Sequence, residues 1–301
     1  MYRSILAPLD GSLPSEQSLP YAAALARRSG AALQVVYVHT PLLLAEGAMY
    51  LGTPDVQLWE EERKYLFGIA ERLKKAGVEN VSTHILEGPV AETLQEHALG
   101  NSSDLVVMTT HGRGPVSRFW LGSVADQLVH RLPMPLLLVH TREEGLAPAG
   151  EPVVRKVLVA LDGTPMAEQI LPTAGALAKV MGASFTLLRV VPSVVSHIAP
   201  KKREADAEAA LANKLRSEAQ IYLTRITTSL RDQGIAVQTR IATHAHPAMA
   251  ILEEAATGDC DLIALETHGR VGLPRLFLGS VADKIVRGAT VPVLVHRCLP
   301  D

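Results

Sequence analysis

The sequence predicts an α/β protein of two tandem doubly wound domains, each a five-stranded, mostly parallel sheet with helices on both faces. Three observations carry this expectation: a length of 301 residues, an internal repeat, and short apolar runs alternating with helical stretches. At about 150 residues per domain, the length alone suggests two cores. The repeat is direct. SILAPLDGS from Ser4 aligns with KVLVALDGT from Lys156, placing Asp10 over Asp162 at an offset of 152. LVVMTTHGRGPVSRFWLGSVAD from Leu105 aligns without gaps with LIALETHGRVGLPRLFLGSVAD from Leu262, at an offset of 157 and with 12 of 22 positions identical. A repeat of this length governs the whole architecture. Between the copies, TREEGLAPAGEPVVR (Thr141 to Arg155) is charged and rich in Gly and Pro, the composition of a linker. The expected boundaries are therefore 1–142 for the first domain, 143–154 for the linker and 155–301 for the second domain.

In the first copy the apolar run Ile5 to Leu9 ends at a Gly turn, an Ala-rich helical stretch runs from Ser15 to Arg28 and stops at Gly30, and a second run spans Leu33 to Val38. The second copy repeats this with Val157 to Leu161, a helix to about Val180 stopped by Gly182, and Phe185 to Val191. Continuous apolar runs separated by helices are strands buried on both faces, joined by right-handed crossovers. The next helix is clearest in the second copy, where Leu211, Leu215, Ala219, Tyr222, Ile226 and Leu230 form one helical stripe. Strands near Val81 to Leu86 and Val237 to Ala242 follow. Leu105 to Met108 with Leu136 to Val139, and Leu262 to Leu265 with Val293 to Val295, complete five strands in each half.

Composition narrows the function. Apolar residues make up 48% and charged residues 20%, so the chain is neither disordered nor fibrous. The net charge of −2 argues against nucleic acid as a partner. No stretch reaches the roughly 18 apolar residues of a membrane span. The N-terminus lacks the apolar core of a signal peptide. Two cysteines, Cys260 and Cys298, make no disulfide framework and suit a reducing compartment. The expectation is a cytoplasmic protein with no membrane partner.

The most informative segments are Thr109-x-x-Gly112, nine residues, Gly122-Ser123-Val124, and the twin Glu266-x-x-Gly269, nine residues, Gly279-Ser280-Val281. In each, a strand delivers the chain to a glycine and a helix begins at Gly-Ser, at the carboxyl edge where open parallel sheets bind ligands. Free N–H groups and the helix dipole there favour a phosphate. Ser123 and Ser280 either cap their helices or donate a hydroxyl to a phosphate oxygen.

This spacing, with an opening strand that ends in D-G-S or D-G-T, resembles the universal stress protein family, in both halves. The resemblance implies a Rossmann-like, adenine nucleotide alpha hydrolase-like fold and binding of ATP or a related adenine nucleotide. By motif, Pro8 and Asp10 end the first strand with Asp10 toward the ribose. Val38 meets adenine, Met108 and Thr109 lie under the ribose, and Gly112, Gly122, Ser123 and Val124 hold the phosphates. The second copy offers Ala160, Asp162, Val190, Leu265, Glu266, Gly269, Gly279, Ser280 and Val281. Both copies depart from the motif at its first glycine, where Thr109 and Glu266 stand. Thr109 adds bulk near the ligand. Glu266 adds a carboxylate, and two like charges about 4 Å apart repel by ~4 kcal/mol at an effective dielectric near 20. A Mg²⁺ ion bridging Glu266 to phosphate would reverse that sign. Arg113, Arg118, Arg270 and Arg275, in the same loops, are candidates to offset negative charge. The first site is therefore expected to bind better than the second.

Other features read more plainly. His111 and His268 satisfy loop backbone groups or gate the pocket. His244 and His246 have no third metal ligand at recognisable spacing. PKKREADAE after Ala199 is a solvated helix face. No Walker loop, G-x-S-x-G elbow or H-E-x-x-H occurs, so the expectation is no enzyme, with at most slow ATP hydrolysis. The short apolar last strands, Leu136 to Val139 and Val293 to Val295, are expected to face one another, making the chain an internal pseudo-dimer that is open to further homodimerisation. The leading expectation is a stress-response or regulatory protein that binds adenine nucleotide. The alternative is a scaffold or adaptor that has lost nucleotide and acts through dimerisation.

Overall fold

The computed structural model describes residues 2–40, 52–111, 121–141, 151–193, 202–267 and 279–297. The chain forms two compact units, Met1–Pro152 and Val153–Asp301. The first runs β1 (Ser4–Leu9), α1 (Leu13–Glu16), α2 (Leu19–Ser29), β2 (Ala32–His39), α3 (Gly52–Lys75), β3 (Val81–Glu87), α4 (Val90–Gly100), β4 (Leu105–Thr109), α5 (Ser123–Arg131) and β5 (Leu136–Val139). The second runs β6 (Lys156–Ala160), a 3-10 turn (Ala167–Gln169), α6 (Ile170–Met181), β7 (Ser184–Val191), α7 (Lys202–Asp232), β8 (Val237–Thr243), α8 (Pro247–Thr257), β9 (Leu262–Thr267), α9 (Ser280–Gly288) and β10 (Val293–Arg297).

In the first unit the strand order is β3-β2-β1-β4-β5 with every pair parallel. The second repeats it as β8-β7-β6-β9-β10. The direction of progression reverses between β1 and β4, and between β6 and β9. Right-handed crossovers then put α2 and α3 on one face and α4 and α5 on the other, leaving a crevice at the reversal. The strands are continuous apolar runs because both faces are covered: Ile5, Leu33, Leu105 and Leu138 have no measurable exposure above 0%, and neither do Leu158 and Leu187. Burying one such side chain contributes about 1.5–3 kcal/mol.

Three local differences from the sequence expectation have physical causes. The helix expected from Ser15 to Arg28 is broken into α1 and α2, because Pro20 enters the first turn of α2. Proline has no N–H to give to a preceding turn and is tolerated only at a helix start. The sequence pattern does not reveal helices α4 and α8, because their buried positions, Ala91, Leu94 and Ala98 with Ala248, Ile251 and Ala255, include small alanines that give a weak apolar signal. The stripe on α7 packs only in its second half: Leu211 is 45% exposed, whereas Ala219, Ile226 and Leu230 are buried. At about 1.5 Å per residue a 31-residue helix is far longer than the 7-residue strand β8 that follows it, so its first turns extend beyond the sheet. Glu151, inside the segment expected to be linker, is ion-paired to Arg27 and Arg28 of α2. No helix among the described residues is long and apolar enough to cross a membrane.

Candidate functional site

The crevice opens where β1 and β4 part. Their ladder covers Ile5 with Leu105 and Leu6 with Val106 and stops short of Pro8, which has no N–H to extend it. Beyond Leu9 the chain turns sharply. Gly11 takes φ +81, and Asp10 Oδ1 accepts from Ser12 N at 3.0 Å and from Ser12 Oγ at 2.6 Å. Ser12 Oγ in turn accepts from Ser15 N at 3.3 Å, capping α1. The Asp10 carboxylate is thus held at the mouth of the crevice by its own turn.

On the other side, β4 ends in Met108 and Thr109, both buried. The extra bulk of Thr109 is folded away, since its Oγ1 donates to His111 O at 2.7 Å. His111 Nδ1 lies 3.1 Å from the side-chain hydroxyl Oγ1 of Thr110. Gly122 N donates to Thr110 O at 2.8 Å, drawing the start of α5 against the end of β4. A Cβ on Gly122 would stand 2.9 Å from that same carbonyl oxygen, so only glycine fits. The capping alternative for Ser123 and Ser280 is corrected here. The cap residues are Gly122 and Gly279, with no side-chain cap bond in either helix, and both serines follow them, exposed at the first helical position. Val124 and Val281 come next, half-buried. The first turn of α5 therefore offers backbone N–H groups without a side-chain acceptor.

The second unit repeats the frame from Ala160 and Asp162. Asp162 Oδ1 accepts from Thr164 N at 2.9 Å and Thr164 Oγ1 at 2.6 Å. Val190 is half-buried near the end of β7 and Leu265 is buried in β9. Glu266 does not stand as a bare charge. Its side chain is fully buried, and Oε2 lies 3.0 Å from Nδ1 of His296, its register partner on β10. Replacing His296 with leucine removes this partner. The expected cost is about 2 kcal/mol, below the 3–5 kcal/mol for a fully buried pair because the imidazole is partly solvated, read as a lower urea midpoint for the second unit.

Gly112, Arg113, Arg118, Gly269, Arg270, Arg275, His268 and Cys298 lie outside the described residues. Of the remaining candidates, the fold brings Pro8, Asp10, Val38, Met108, Thr109, Gly122, Ser123 and Val124 to the carboxyl ends of the first unit's strands, and their described counterparts to the same ends in the second unit.

Several neighbours were not singled out from sequence. Tyr65 and Tyr222 reach toward the Asp10 and Asp162 turns. Burial first, then the carboxylates of Glu16 and Glu168 respectively, hold both phenols above the ordinary range. Their equivalence across the repeat was the available signal. The Arg189 guanidinium packs 3.0 Å from where a Gly163 Cβ would stand, beside the Asp162 turn. At the end of β2, wholly buried His39 pairs through Nδ1 with Glu62 Oε2 of α3 at 2.9 Å, with Trp59 tilted over its ring at 5.1 Å. The corresponding positions of the second copy are Val191 and Ala219.

Cys260 is buried, and burial pushes its thiol up. His244 Nδ1 accepts from His246 N at 2.8 Å. No group of three His, Cys, Asp or Glu able to hold a metal occurs among the described residues. A groove of about 320 Å³ lies away from the crevice, between α2 and α3, with Leu19, Ala23, Ile69 and Leu73 in its wall.

Comparison with known proteins agrees with the repeat. The profile of the Universal stress protein family matches residues 1–140 and again 154–297. Universal stress protein Rv2005c of Mycobacterium tuberculosis is 26% identical over 303 aligned residues, covering 97% of this chain and 96% of that one. A universal stress protein of Thermus aquaticus, from the QAH/OAS sulfhydrylase 3'region, is 34% identical over 144 residues, 46% of this chain and 99% of its own. Among solved structures, a universal stress protein from Archaeoglobus fulgidus DSM 4304 superposes with a TM-score of 0.70 at 19% identity, covering 98% of both chains.

Proposed function

The chain belongs to the universal stress protein family, and on that premise we propose that it is a stress-response or regulatory protein that binds ATP or a related adenine nucleotide reversibly. The first unit is the stronger site and the second the weaker. The observation that carries this reading is the meeting, at one strand-order reversal, of the Asp10 turn and the uncapped N-terminus of α5. A helix start with free N–H groups favours phosphate, and a carboxylate across the crevice suits a ribose hydroxyl. Thr109 is compatible with this, because its hydroxyl turns back onto the chain. Any Mg²⁺ arrives with the nucleotide, since the Glu266 carboxylate is already engaged by His296. The reading is one of binding. A phosphoryl-transfer enzyme also needs a positioned base and a phosphate-clamping Lys.

A second reading, a scaffold that has lost nucleotide, draws on the Thr109 and Glu266 replacements of the motif's first glycine. Restoring glycine at both positions separates the two. Affinity within about threefold of wild type supports nucleotide binding by the natural chain. Binding that appears only in the double variant supports the scaffold. Mass spectrometry of adenine nucleotide released from purified protein on mild denaturation gives an independent check.

A further inference from the structure

In the first unit, two imidazoles meet where the second unit carries an ion pair. His84 on β3 and His97 on α4 have ring centroids 4.8 Å apart, inclined at 55°. His97 Nε2 faces Gln34 Oε1 at 2.9 Å, and Gln34 Nε2 donates to Ser4 Oγ at 2.7 Å. With the amide in that orientation, the His97 proton is on Nε2 and its Nδ1 carries the lone pair. His84 Nε2 lies 3.2 Å from Ser82 Oγ, so its Nδ1 is the nitrogen outside that contact. Both rings are half-buried. Burial first, then the neighbouring His84, holds the His97 imidazole below its ordinary range.

The internal repeat supplies a comparison. The alignment of Val81 with Val237 carries His84 onto Arg240, and that of Ala91, Leu94 and Ala98 with Ala248, Ile251 and Ala255 carries His97 onto Glu254. Arg240 Nε and Glu254 Oε1 are 3.4 Å apart. Both units thus place a polar tie between the third strand and the following helix. In the second unit opposite charges form it. Two imidazoles have no such attraction and repel when protonated. A cation with affinity for nitrogen would join them.

We propose that His84 and His97 form a binding site for a divalent transition-metal ion of the zinc, nickel or copper class, tying β3 to α4 as Arg240 and Glu254 tie β8 to α8. Metal-ligating imidazoles characteristically give their other N–H to an oxygen acceptor, which fixes the tautomer, and Gln34 Oε1 stands in that role for His97. Water completes the coordination. With imidazole donors and no carboxylate, the site discriminates against Mg²⁺ and Ca²⁺, which take oxygen ligands. It is independent of the nucleotide crevice.

The test is titration of the full chain with NiCl2 and ZnCl2, followed by calorimetry and by the ring ¹H–¹⁵N signals of the histidines, with MgCl2 as control. The His84 and His97 signals should respond first, and each metal should raise the thermal midpoint. His84→Ala and His97→Ala should each weaken binding at least about tenfold, the lower end of the loss seen when metal sites are damaged. The double variant His84→Arg with His97→Glu rebuilds the ion pair of the second unit. It should fold with a metal-free midpoint near that of the natural chain and no longer bind metal. Absence of any response from these two rings, or binding that survives in the double variant and so belongs to other residues such as His244 and His246, would overturn the proposal.

Discussion

Replacing Gly122 with valine removes nucleotide binding from the first unit, with an expected loss of at least about 100-fold in affinity, or roughly 2.7 kcal/mol. The cause is a collision rather than a lost contact. The Gly122 N–H donates to Thr110 O at 2.8 Å, and any Cβ is forced to 2.9 Å from the same oxygen. That oxygen is backbone at the end of a buried strand and cannot swing aside as a side chain would, so the helix start must move. Moving it by even an ångström takes the N–H groups of Ser123, Val124 and Ala125 off the position at which a phosphate would meet them. The measurement is calorimetric titration with Mg-ATP, with far-UV circular dichroism to establish that the variant is folded. Ser123→Ala is the companion variant. It leaves the helix in place and removes one hydroxyl, so its expected effect is smaller, about tenfold or less.

The largest stability effect is expected from Glu62→Ala. His39 is wholly buried and Glu62 is 6% exposed, and the pair is held at 2.9 Å. Removing Glu62 takes away the carboxylate that the buried His39 Nδ1 faces, and breaking a buried pair at one end costs about 3–5 kcal/mol. Against a typical domain stability of about 5–15 kcal/mol, that is enough to shift the urea midpoint of the first unit by a large fraction of its value. Replacing His39 and Glu62 together with Val and Ala, as in the second copy, should recover much of the loss, since an apolar pair of suitable volume leaves no buried charge behind. A double variant as unstable as Glu62→Ala would show that the pair does more than neutralise itself.

The features read from the sequence lie in segments that the chain states twice. The strands, the Asp10 and Asp162 turns and the Gly-Ser helix starts all lie in repeated segments, where each copy corroborates the other. What stayed hidden depends on contacts between residues that spacing does not connect. Glu266 read as a bare charge aimed at phosphate, because nothing in its own segment reveals that β10 brings His296 beside it, 30 residues later. The His39–Glu62 pair occurs in one copy only, so the repeat gave it no emphasis. The broken first helix illustrates the opposite case. Pro20 was visible, but the Ala-rich run around it dominated the helical pattern, and the rule that proline begins helices rather than interrupting them decides the outcome.

The most direct trial of a nucleotide site at the first sheet edge is calorimetric titration of the purified full chain with Mg-ATP, natural and Gly122→Val proteins side by side. Saturable heat in the natural chain that is lost or weakened at least about 100-fold in the variant is the expected result. No heat up to millimolar nucleotide from the natural chain, or equal binding by both proteins, would place the function elsewhere in the molecule.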